Sequence, residues 1–191
     1  MRERSNLIRL VLFRFWKEPT RVILEGEYRG HWILPALVSI IASVNVFIAG
    51  TSSTLMGDPF QDFVLQLLLF VLYSFLIYAL LVKVLPFIYF KLGGYLGGSA
   101  SFSDIQYAVI LSFCTELYGL AFKLIALVFG VQNFENSLSF IEWLLNLISF
   151  FLLYTYIKSV QGFGRKNALI NTLLPGFIIV IILFSVRAIL L

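Results

Sequence analysis

Residues Ser112 to Leu124 read S-F-C-T-E-L-Y-G-L-A-F-K-L and set Glu116 and Lys123 inside an otherwise apolar run. A carboxylate in such a run must find partners, change protonation state or reach the edge of the surrounding medium, so the chemistry open to it is proton coupling, ion binding or structural hydrogen bonding. Lys123 lies two helical turns beyond the acid, a strained reach for a direct pair. The helical neighbours of Glu116 at i±3 and i±4 are Ser112, Phe113, Gly119 and Leu120, none of them charged. Its partner must come from another helix or from water.

Other residue types with chemical potential are sparse. A single Cys114 excludes an internal disulfide framework and a single His31 excludes a histidine-rich metal site. Glu25 and Glu27 stand near Arg29 and His31 and read as solvated helix-end charges. The stretch G-G-Y-L-G-G (93–98) lacks the G-K-[ST] ending and preceding strand of a phosphate-cradling loop, and reads instead as a flexible joint between helices. With no nucleophile, metal set or acid–base pair, the expectation is a non-enzymatic protein without cofactor or metal. The basic residues follow membrane topology and form no aromatic-lined groove, which argues against nucleic acid.

The elements that must position Glu116 follow from composition. Of 191 residues, 60% are hydrophobic and 13% charged, against roughly 45–50% and 25% in soluble domains. A water-soluble fold of this size could not cover so much apolar surface. A hydrocarbon core about 30 Å thick needs about 20 residues of helix, and five runs meet that length: His31–Gly50, Phe63–Phe87, Ile105–Gly130, Leu138–Ile157 and Ala168–Leu190. The expected fold class is all-α: a polytopic membrane protein with a bundle of five transmembrane helices (31–191) behind a basic N-terminal segment (1–30). Short connectors make neighbouring helices antiparallel, and Pro175 with Gly176 predicts a kink in the last one.

Lys and Arg concentrate in the N-terminal segment, at Lys91 in the second connector and at Lys158, Arg165 and Lys166 in the fourth, whereas the first and third connectors have none. Since cytoplasmic flanks retain basic residues, the N-terminus is expected in the cytoplasm and the C-terminus on the opposite side, with the first span kept in the mature protein. The stretch N-L-I-R-L-V-L-F-R-F-W-K-E-P is apolar but too short to span. It suits a short amphipathic helix ended by Pro19, lying in the headgroup layer or packed on the protein's own cytoplasmic face. Arg9, Arg14, Lys17, Arg21, Arg165 and Lys166 are the expected contacts to anionic lipid.

Counted from Asp104 at about 1.5 Å per residue, Glu116 lies about 18 Å deep, near the bilayer midplane. The same counting brings Asn45, Tyr73, Ser74, Asn146 and Ser149 to that depth and predicts a polar layer, with Ser112, Thr115 and Gly119 supplying small contact surfaces. Lys123, about 10 Å deeper, and Lys83, near a helix end, are expected to snorkel to the interfaces.

Three stretches together resemble the Yip1 domain family, five-helix membrane proteins with a cytoplasmic N-terminus. They are F-W-K-E-P-T-R-V-I with Pro19; G-G-S-A-S-F-S-D-I-Q-Y-A-V-I-L-S-F with Gly97, Gly98, Phe102 and Tyr107; and I-K-S-V-Q-G-F-G-R-K-N-A with Lys158, Gly162, Arg165, Lys166 and Ala168. The resemblance implies a non-enzymatic multi-pass protein of membrane organisation or trafficking. The short N-terminal region without a D-L-Y-G-P segment argues against Rab GTPase binding and toward a compact prokaryotic-type member of a bacterial inner membrane. Where many relatives have a proline along the third helix, this chain has Glu116 or a neighbour of it. The leading expectation is a scaffold or partner-binding factor whose partners are the bilayer and a membrane protein or a second copy. The alternative is a small proton- or ion-coupled transporter or channel using Glu116, with Asn45 and Asn146 assisting.

Overall fold

The computed structural model describes residues 17–25, 33–50, 59–128 and 135–190. Every regular element among them is helical. In chain order they are α1 (Pro19–Glu25), α2 (Ile33–Gly50), α3 (Pro59–Ala79), which passes through a π-helical turn (Leu80–Val84) into α4 (Leu85–Tyr95), α5 (Phe102–Ser112), which passes through a 3-10 turn (Phe113–Thr115) into α6 (Glu116–Val128), α7 (Glu135–Gln161) and α8 (Arg165–Leu190). Among the described residues three stretches are long and apolar enough to cross a membrane: Val64–Tyr95, Phe102–Ala126 and Ser139–Gln161. The described part of the chain is therefore all-helical and of integral-membrane character.

The expected second run ends at Phe87, but the helix continues to Tyr95. Proline explains how it continues. Pro86 has no N–H to give the carbonyl of Val82 four residues earlier; the side chain of Gln106, on α5, donates to that carbonyl at 2.8 Å instead. The preceding π turn, closed by Leu85 N–H on Leu80 C=O, absorbs the ring without ending the helix. Pro175 likewise lies inside α8. Pro19 opens α1, where a missing N–H costs nothing; the amphipathic helix expected to end at it lies in residues 1–16, outside the described ones. Val22 and Ile23 of α1 are fully buried against α5 and α7, so this short helix packs on the protein itself.

The centre of the fold is α5, whose Ile105, Ala108, Val109 and Leu111 are completely buried together with Tyr156 and Ile157 of α7 and Ala168 of α8. By contrast α3 is peripheral: Leu68 is 63% and Phe75 69% exposed. Faces this apolar are compatible with a hydrocarbon surrounding and with little else.

The glycine-rich connector is a locked joint, which corrects the flexible one expected from its sequence. Helix α4 closes in a Schellman motif, with Gly98 N–H on Gly93 C=O at 2.8 Å and Gly97 N–H on Gly94 C=O at 3.1 Å. Gly97 takes φ +82°, which only glycine adopts without strain. A capping box then starts α5: Asp104 N–H donates to Ser101 Oγ at 3.3 Å and Ser101 N–H to Asp104 Oδ2 at 3.1 Å. Gln161, at the end of α7, inserts its side chain between Gly93 and Gly98, where a Cβ on either glycine would collide with it. Its Oε1 accepts from Ala100 N–H at 3.3 Å, and Asn167 of α8 donates to Leu96 C=O at 3.2 Å. The two glycine-bearing connectors are thus one packed unit.

Candidate functional site

The 3-10 turn sets up the site. Ser112 donates to Val109 C=O at 2.7 Å and Thr115 to Ser112 C=O at 3.3 Å, and such back-bonding by short hydroxyl side chains accompanies the tightening of the helix. The Thr115 hydroxyl also hydrogen-bonds that of Ser149 on α7. Glu116 follows as the first residue of α6. Its partner comes from α2: the Asn45 Nδ2 donates to Glu116 Oε2 at 2.8 Å and to the Glu116 main-chain carbonyl at 3.0 Å. Asn45 is 6% exposed, and its Oδ1 is buried with no hydrogen-bond donor from the protein.

Lys123 departs from the expected snorkelling anchor. Its ammonium lies 2.7 Å from Glu142 Oε1 on α7 and donates to the Asn45 main-chain carbonyl at 3.2 Å. The lysine side chain is 13% exposed and that of Glu142 44%, so the pair sits at the rim of the site. Glu142 escaped the sequence reading. The available signal was an acid inside the fourth run, one turn before Asn146 and therefore on the same helical face.

These groups line one cleft of about 380 Å³. Asn45, Thr115, Glu116, Lys123, Glu142 and Asn146 are its polar wall, and Ala42, Ile77, Leu81 and Leu145 are among its apolar ones. Gly119 of α6 also lines the cleft: a Cβ there would lie in ordinary contact, at 3.7 Å, with both Asn45 Nδ2 and Leu145 Cδ1. Of the expected polar layer, the structure brings together Asn45, Thr115, Glu116 and Ser149, with exposed Asn146 at the cleft edge. It leaves Tyr73 outside, 46% exposed. Ser74 bonds the Phe70 carbonyl of its own helix at 2.8 Å.

Of the residues expected to contact anionic lipid, Lys17, Arg21, Arg165 and Lys166 are exposed; Arg21 pairs with Glu18 at 3.1 Å; Arg9 and Arg14 lie outside the described residues. Among the described residues no three His, Cys, Asp or Glu side chains are grouped to hold a metal ion. No protein-family model, curated protein or solved structure matches this chain. The chemistry of the site must therefore be read from its own groups. It presents carboxylate and amide oxygens to whatever enters, beside an ammonium already engaged.

Proposed function

We propose that this chain is a non-enzymatic, multi-pass membrane protein in which the cleft at Glu116 binds a proton or a small cation, as in an ion-coupled transporter or channel. The observation that carries this reading is Glu116 itself. It is a carboxylate on an apolar helix, bound by one neutral amide and facing a cleft large enough for a solute. Ionisable groups placed in this way within membrane helices usually mark ion or substrate paths. In this reading α2 and α8 complete a five-helix, Yip1-like bundle with the three apolar spans. Helix α2 has 18 residues and α8 has 26, about 27 Å and 39 Å of helix, so α2 would match a core about 30 Å thick only when nearly upright and α8 when tilted. The distribution of basic residues supports a cytoplasmic N-terminus, and the resemblance to compact prokaryotic Yip1-type members would put the protein in a bacterial inner membrane.

The test is flux in proteoliposomes comparing the wild type with Glu116→Gln. Uptake of protons or of a monovalent cation that disappears in the variant is the expected result. Equal, negligible flux in both would remove the reading.

A second reading is that of scaffold or partner-binding factor, for a membrane protein or a second copy. It is favoured by the connector unit, which exposes Tyr95 to 87% one helical turn after Lys91, while exposed Arg165 and Lys166 open α8, the helix whose Asn167 holds the neighbouring Leu96. An exposed aromatic on a face that also carries basic residues is a suitable anchor for a partner at the membrane surface. Cross-linking from residue 95 in native membranes, with no defined adduct, would count against it.

A further inference from the structure

We infer that the ligand of the cleft is a small organic monocation, a primary ammonium carrying a short alkyl chain, and this deepens the reading that Glu116 binds a cation. Charge is the first argument. Glu116 and Glu142 are set against Lys123 alone, so the formal charges of the site leave one negative charge to be balanced. Lys123 already neutralises Glu142 at 2.7 Å, which leaves Glu116 as the seat for the incoming positive charge.

Hydrogen bonding is the second. An ammonium offers three donors, and the Glu116 carboxylate on the cleft wall has a second oxygen beyond the one that Asn45 engages. Asn146 lines the same wall.

Size and polarity are the third. A cleft of about 380 Å³ has room for a ligand of several non-hydrogen atoms, more than a proton or a dehydrated metal ion occupies. The walls formed by Ile77, Leu80, Leu81, Leu145 and Phe113 suit an alkyl chain. The described residues group no metal-binding set, which agrees with an organic cation.

The experiment is calorimetric titration of the full chain in lipid nanodiscs with n-butylammonium, sodium and n-butanol. Saturable binding of n-butylammonium, absent for n-butanol, is expected. It should weaken at least tenfold in Glu116→Gln, and similarly in Gly119→Leu, whose side chain enters the cleft without altering any charge. Should Glu116→Gln not fold, as judged by size exclusion and circular dichroism, Gly119→Leu decides. Failure of n-butylammonium to bind, or equal binding by wild type and variants, overturns the inference. If sodium or proton flux then still depends on Glu116, the cation-binding reading stands and only the organic ligand falls; if flux is independent of Glu116 as well, both fall.

Discussion

The amide of Asn45 holds Glu116 twice, through the carboxylate at 2.8 Å and through the main-chain carbonyl at 3.0 Å. One neutral side chain on α2 therefore fixes both the orientation of the acid and the position of the tight turn that presents it. Removal of the amide should cost more than removal of the charge. Glu116→Gln keeps an oxygen for Asn45 Nδ2 and is expected to change stability by about 1 kcal/mol or less. Asn45→Leu leaves the acid without its donor, at about 1–3 kcal/mol. Thermal unfolding in detergent, followed by circular dichroism, separates the two; a larger loss in Glu116→Gln would contradict the geometry.

Lys123 and Glu142 join α6 to α7 at the rim of the cleft, 2.7 Å apart. Lys123→Glu and Glu142→Lys should each destabilise the protein, and the double reversal should recover part of the loss. A coupling on the order of 1 kcal/mol is expected for a pair with one partner partly exposed. Additive losses would show that the pair is incidental.

The Gln161 side chain and the absent side chains of Gly93 and Gly98 form one joint. Gly93→Ala should force Gln161 out of its seat and cost about 1–3 kcal/mol, since the hydrogen bond to Ala100 goes with it. Once Gln161 is shortened to Ala, the same glycine substitution should cost much less. A double-mutant cycle measures this, and equal costs in both backgrounds would mean that the overlap is relieved elsewhere.

Pro86 and Gln106 form a compensating pair about the Val82 carbonyl, which Gln106 satisfies at 2.8 Å. Gln106→Leu should destabilise by about 1–3 kcal/mol, and adding Pro86→Ala, which restores a main-chain N–H, should recover part of it. No recovery on unfolding the double variant would indicate that the π turn persists for another reason.

Asn171 of α8 is completely buried, and neither end of its amide has a hydrogen-bond partner in the protein. An unsatisfied buried polar group costs about 1–3 kcal/mol. Asn171→Val, nearer to asparagine in volume than leucine is, should therefore raise the unfolding temperature. A fall would reveal an ordered water or a ligand held at that position.

Much of the architecture was legible in the sequence. Long apolar runs separated by short polar connectors have no stable alternative to helices in a hydrocarbon medium, because every backbone N–H and C=O must be satisfied within its own segment. Counting residues along those runs also gave the height of each polar side chain, and this placed Asn45, Tyr73, Ser74, Asn146 and Ser149 at the level of Glu116. Height is all that such counting supplies. The rotation of a helix about its own axis is set by packing against its neighbours, so the sequence could not separate Tyr73, which the fold turns outward, from Asn45, which it turns inward. The tertiary structure likewise decided that Lys123 turns to Glu142 on another helix, that Gln106 replaces the donor missing at Pro86, and that Gln161 closes on glycines some sixty residues away. Each of these pairings joins groups on different helices whose meeting depends on two rotations and a crossing at once, and no local pattern of residues carries that information.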